Sequence, residues 1–246
     1  MKKRVQRLLS VTLIGIFALG SASAVKADDY YINDLGQEGY EERLNEVKNE
    51  GPFYDVSRSA WYCDAVEYCK TRLLLVGDPD GNFRPEDPVS RAEAATVLKR
   101  LATEDTFVYE TYFSDVPSDA WYAWEASSYG NLLGGFSKQS SFSSPLGYIA
   151  YFYPNSNVER EDFAVGIYNV FNLQDGSWKA HFQDLDQVTW SDNTGYNYRQ
   201  AVCAMRNLGI MVGDENEYFH PKQSLTRAEL AQVLYNNDTN DSAWLR

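Results

Sequence analysis

The sequence predicts a mainly α-helical protein made of three repeated units with short extended opening segments and glycine-rich turns, and three observations predict it. The stretch Gly77 to Leu101, GDPDGNFRPEDPVSRAEAATVLKRL, reads as a turn, a short extended piece, a cap and a helix. It returns at Gly213 to Leu234, with Gly213 for Gly77, Phe219 for Phe83, Pro221 for Pro85 and Thr226-Arg227-Ala228-Glu229 for Ser90-Arg91-Ala92-Glu93. Asn157 to Phe171, NVEREDFAVGIYNVF, is a third, worn copy. Each unit alone is too small to bury its apolar face, so Val97, Leu98, Ile167, Val233 and Leu234 need neighbours from other units, which predicts an approximate threefold arrangement.

The caps explain most of the recurring letters. Ser90 with Glu93, and Thr226 with Glu229, form S/T-x-x-E capping boxes ahead of apolar helical faces. They do not explain Arg91 and Arg227, or Arg160 in the worn copy. At the first helical position a cation meets the positive end of the helix dipole, a mildly unfavourable choice made three times. Two readings stay open at this point. The arginine fork, beside exposed helix N–H groups, makes a site for a carboxylate or phosphate, or it pairs with a neighbouring acid.

Taken in order, residues 1–27 have the layout of a secretory signal. Lys2, Lys3, Arg4 and Arg7 precede an apolar run from Leu8 to Leu19, followed by small residues with cleavage expected after Ala24 or Ala27. That run is too short to span a bilayer, and no membrane span is expected after cleavage. Residues 28–50 are an acidic lead-in. The first unit, 51–108, opens on Phe53-Tyr54-Asp55-Val56 and Ala60-Trp61-Tyr62, forms a helix through Ala65, Val66 and Tyr68, then turns at Gly77 into the capped helix. The second, 109–175, opens on Phe113-Ser114-Asp115-Val116 and Trp121-Tyr122 and carries an insertion rich in Ser and Tyr over about 134–156; Glu159 stands where a capping Ser or Thr belongs. The third, 176–240, opens on His181-Phe182-Gln183-Asp184-Leu185 and places Tyr198, Ala201 and Val202 on its first helix, with Asn197 where Trp61 and Trp121 stand. A tail, 241–246, follows.

With these letters the chain resembles the S-layer homology family in three tandem repeats. The residues that carry the likeness are FYDV, WY, GDPDGNFRP and SRAE in the first unit, FSDV and WY in the second, and GDENEYFHP with LTRAE in the third. The resemblance implies a pseudo-threefold helical spindle that binds an acidic secondary cell-wall polysaccharide, often pyruvylated, in grooves between repeats. It implies that Arg91, Arg227 and Arg160 are ligands for the acidic sugar. Trp61, Trp121 and Tyr198 are the candidate groove walls. The implied location is the cell wall or S-layer surface, and other envelope proteins are further partners to consider. The alternative is a structural or protein-interaction scaffold of the envelope with degenerate glycan binding.

Composition sets the exclusions. A formal charge of -13 disfavours nucleic acid, whose binding draws on dense Lys and Arg contacts. Eighteen Tyr and six Trp agree with a sugar-handling surface, although most such residues serve as core. Cys63 and Cys69 would lie roughly 9 Å apart along one helix, too far for a bond; the spacing leaves open either a bridge from one of them to Cys203 or three buried thiols, the preferred reading. Asp78, Asp80 and Asn82 begin like a calcium loop, but Phe83 stands where that loop requires Gly and Val89 where it requires Glu. His181 and His220 have no triad or metal spacing, and no carboxylate pair is singled out for glycoside hydrolysis. No metal, no cofactor and no enzyme activity are expected.

Overall fold

The computed structural model describes residues 53–102, 111–142, 144, 147–173, 181–190 and 196–239. The expected signal, the acidic lead-in and the C-terminal tail lie outside the described residues. The protein is mainly helical. The first unit contributes α1 (Cys63–Thr71) and α2 (Arg91–Leu101), the second α3 (Ala123–Tyr129) and α4 (Arg160–Val170), and the third α5 (Tyr198–Asn207) and α6 (Arg227–Thr239). In the middle unit an antiparallel hairpin, β1 (Ser137–Ser140) and β2 (Tyr148–Tyr151), is built from the insertion. It is not a detachable loop, because Ala150 and Phe152 are buried and Ser114 N–H donates to the Ala150 carbonyl at 2.9 Å.

The helices are handed from unit to unit. The first helix of each unit packs on the capped helix of the unit before it: α3 on α2, α5 on α4, and α1 on α6, which closes a ring. At its centre three backbone hydrogen bonds run in one direction. Val89 N–H donates to Leu225 O, Leu225 N–H to Val158 O, and Val158 N–H to Val89 O, at 2.9, 3.0 and 2.9 Å. Val97, Leu98, Ile167, Val233 and Leu234 all belong to one buried cluster that draws on every unit. Since apolar burial stabilises by about 25 cal/mol per Å², faces that no single unit can cover hold the three together.

Within each unit the opening segment clamps the turn. Phe53 packs on Phe83, Phe113 on Phe152 and Phe182 on Phe219, with ring centroids 5.4, 5.3 and 5.2 Å apart. The Asp two residues after the opening Phe accepts two backbone N–H groups of the same turn. Asp55 takes Phe83 and Arg84, Asp115 takes Phe152 and Tyr153, and Asp184 takes Phe219 and His220, all at 2.7–2.9 Å. Arg84, Tyr153 and His220 have φ of 57°, 60° and 57°, a left-handed backbone that is uncommon for non-glycine residues. The paired carboxylate bonds hold it there.

Gly213 is required on two grounds. Its φ is +82°, and a Cβ there would lie 2.7 Å from the Phe182 ring and 2.8 Å from the Tyr218 carbonyl. Gly213→Ala is therefore expected to cost about 2 kcal/mol, through backbone strain and overlap with main chain that cannot yield. A urea unfolding curve checks this, and a loss under about 0.5 kcal/mol would contradict it.

Candidate functional site

The capped helices bring the predicted arginines to the junctions between units. Ser90 Oγ accepts from Glu93 N–H at 3.2 Å while the Glu93 carboxylate accepts from Ser90 N–H at 2.8 Å. Thr226 and Glu229 make the same exchange at 3.2 and 2.9 Å. Glu159 makes no side-chain cap bond to α4.

The helix N-termini are not open, as the sequence reading of an anion site requires. The first N–H of each helix, at Arg91, Arg160 and Arg227, donates to Ser156, Gln223 and Asp87 carbonyls of the following unit at 2.9, 3.0 and 2.9 Å. The second, at Ala92, Glu161 and Ala228, donates to Pro154, Pro221 and Pro85 carbonyls. Loop carbonyls thus stand where an anion would.

The arginines follow the same rotation. Arg91 Nε donates to Phe152 O at 2.8 Å and its Nη1 pairs with Asp162 at 3.0 Å. Arg160 Nε donates to Phe219 O at 2.8 Å and its Nη1 pairs with Glu229 at 2.9 Å. Arg227 Nε donates to Phe83 O at 2.7 Å, its Nη2 to Val76 O at 2.9 Å, and its Nη1 lies 3.7 Å from Glu93. Each guanidinium also sits over the turn Phe it bonds, 4.8–5.2 Å from the ring centroid. The paired acid is in every case the third residue of the next unit's capped helix. Of the two readings the sequence left open, pairing with an acid is thus present in the fold, across units.

A cavity of about 340 Å³ opens where the three units meet, lined among others by Arg91, Phe136, Tyr153, Asn157, Tyr198 and Lys222. Its acids are Glu159, Glu161 and Asp162. Of the six ligand residues predicted from sequence, Arg91 and Tyr198 line this cavity. Tyr198 is buried and its hydroxyl oxygen accepts from Gly135 N–H at 2.7 Å. Trp61 and Trp121 stand elsewhere, 63% and 67% exposed, each edge-on to the neighbouring Tyr62 or Tyr122. Arg160 and Arg227 belong to the other two junctions.

Residues that the sequence reading missed complete the cavity. Lys222 Nζ bonds Glu161, Thr189 Oγ1 at 2.7 Å and Glu159 at 3.3 Å, so the three clustered carboxylates already have an ammonium among them. Burial pulls the Lys222 pKa down, but the bond to Glu161 and the charges of Glu161 and Glu159 outweigh it and raise it. Burial pushes the Asp162 carboxyl up to about 6, against the opposing pull of Arg91, with Glu159 and Glu161 adding to the rise. Burial likewise lowers the pKa of Arg91, which Asp162 counters. Tyr153, stacked on Tyr151 with centroids 6.2 Å apart and bonded to Ser137 Oγ at 2.7 Å, gives the rim an aromatic face. One signal was legible: Glu161 stands where the other copies have Ala92 and Ala228.

Fold and repeat construction define a ring of helical repeats with charged, aromatic-lined junctions. The S-layer homology domain model matches residues 52–95 and 191–231, in the first and third units. The chain is 27% identical over 192 residues to an S-layer protein of Bacillus licheniformis, covering 74% of this chain and 19% of that protein. It is 28% identical over 176 residues to cell surface glycoprotein 1 of Acetivibrio thermocellus, covering 66% and 7%. It is 26% identical over 200 residues to an amylopullulanase of Thermoanaerobacterium thermosulfurigenes, covering 80% and 9%. The chain thus spans a fifth or less of the length of these relatives. No helix among the described residues is long and apolar enough to cross a membrane.

Proposed function

We propose that this protein is a non-catalytic anchoring module of the bacterial cell surface that binds an acidic polysaccharide of the cell wall. Similarity to S-layer and cell-surface proteins supports the location, and the match to the amylopullulanase covers only 9% of that enzyme, which leaves its catalytic name behind. The observation that carries the glycan reading is the cavity at the meeting of the units, where Arg91 and Lys222 sit beside Tyr153 and Tyr198. Cations for an acidic group together with flat faces for sugar rings suit a charged saccharide. Arg160 and Arg227 are the corresponding cations at the other junctions, and the exposed Trp61 and Trp121 are outer platforms.

The test is sedimentation of the full chain with purified bacterial cell walls, comparing wild type with Tyr153→Asn. Asparagine tolerates the left-handed backbone of position 153, so the fold is retained while the aromatic face is removed. Losing a ring contact worth about 1–1.5 kcal/mol weakens binding about tenfold. Unchanged affinity would remove Tyr153 from the site, and failure of the wild type to sediment would favour the scaffold reading. One observation supports that second reading: each arginine fork is engaged between units, where it ties one unit to the next.

A further inference from the structure

The cavity contains its own acid in the place an acidic ligand group would take. Asp162 is 5% exposed, and its Oδ2 lies 3.0 Å from Arg91 Nη1, while Arg91 Nη2 is buried with no hydrogen-bond partner among the described residues. The equivalent acids at the other junctions are held differently. Glu93 and Glu229 each give one oxygen to the arginine and the other to the backbone N–H of their own cap, at 2.8 and 2.9 Å. Those capping bonds tie each of these carboxylates to the start of its own helix. Asp162 is one carbon shorter and follows Glu159, which makes no side-chain cap bond, and among the described residues Arg91 is the donor to its carboxylate. It also stands in a lining with two cations, Arg91 and Lys222, against three carboxylates, Glu159, Glu161 and itself.

We propose that Asp162 is a built-in competitor for Arg91, so that an anionic glycan enters this cavity only as Asp162 takes up a proton, and binding there tightens as pH falls. The inference rests on the glycan reading above. The exchange balances: one proton passes from solvent to the Asp162 carboxylate, the Arg91–Asp162 ion pair is given up, and a ligand carboxylate takes the guanidinium. With Asp162 neutral the lining carries two cations against two carboxylates, and a ligand anion no longer meets excess negative charge. The groups facing Asp162 are Arg91 from α2, Glu159 and Glu161 from its own helix, Lys222 from the turn before α6, and Tyr198 from the start of α5. Burial already favours the protonated form, with the carboxyl raised to about 6, so the proton is taken up near neutral pH.

The experiment is sedimentation of the full chain with one preparation of purified walls from about pH 5 to about pH 8, for wild type and Asp162→Asn. Wild-type affinity is expected to fall about tenfold per pH unit above about pH 6, the slope for one linked proton. Asp162→Asn, tested on the same walls so that titration of the walls themselves cancels, is expected to lose that slope and to bind more tightly than wild type at about pH 7.5. A wild-type profile that is flat, or parallel to that of Asp162→Asn, overturns the inference while leaving the glycan reading intact. No wild-type binding at any pH, about pH 5 included, overturns both. Should Asp162→Asn fail to fold by circular dichroism, proton uptake by the wild type in weakly buffered suspension decides. About one proton per bound molecule at about pH 7.5 supports the inference, and none overturns it.

Discussion

Arg91→Ala is expected to cost about 3–5 kcal/mol of stability at neutral pH, the largest effect of any single substitution discussed for this fold. The side chain is 3% exposed and bonds both the Phe152 carbonyl and Asp162, so alanine leaves a carboxylate buried without its cation and a carbonyl without its donor. The defect has a pH signature. A carboxyl whose folded pKa is raised binds its proton more tightly in the folded than in the unfolded state. Its contribution therefore favours folding most below its unfolded value of 3.8 and is lost as pH rises through about 6. Without Arg91 that rise steepens, so the gap between variant and wild type widens from about pH 5 to about pH 7.5. Urea unfolding at both pH values measures it. In a double-mutant cycle, Asp162→Asn is expected to recover part of the loss, because the orphaned charge is gone. A pH-independent loss below about 1 kcal/mol would show that the pair contributes little to holding the first and middle units together.

Asp184→Ala is expected to cost about 2–4 kcal/mol, by a different route. Asp184 is 2% exposed and its two oxygens accept from Phe219 and His220 N–H at 2.9 and 2.7 Å. Each charge-assisted bond is worth about 1.5–3 kcal/mol, and the buried N–H of Phe219 gains no water when it is lost. The same bonds hold His220 at its positive φ, so His220→Gly, which has no steric objection to that backbone, should recover part of the loss in an Asp184→Ala background. Denaturation midpoints of the single and double variants settle this. If His220→Gly adds to the damage, the carboxylate is not what holds the turn.

What the sequence disclosed and what it withheld differ in range. The caps of α2 and α6 were readable because a capping box is completed within four residues, Ser90 to Glu93 and Thr226 to Glu229. The positions of α1 and α5 followed from their apolar residues, and that of α4 from its likeness to the repeated cap-and-helix stretch. The destination of Arg91 was not readable, because its partner lies 71 residues away on another unit. The same holds for Arg160 with Glu229, and for Lys222 with Glu161. Nor could periodicity show that the insertion folds as a hairpin with one strand plugged into the core, since its Ser- and Tyr-rich sequence reads as a loop until Ala150 meets Ser114 and the stacked Tyr151 and Tyr153 are in view. The opening Asp of each unit was read as part of a motif, and its task of fixing a turn about 30 to 40 residues downstream emerges only with the backbone in place.

The packing of α1 on α6 makes this array one without ends. A linear stack of repeats has outermost members that fray and that need a polar outer face to stay soluble; a closed one has neither. In a linear stack of three, losing a terminal member removes one of two contacts between neighbours. Here, losing any member removes two of three, and the survivors expose both faces that the missing member covered. Unfolding should therefore be a single concerted transition with no partly peeled species. Cutting the chain within one loop between units and rejoining its termini through a linker would disturb the fold less than deleting any unit.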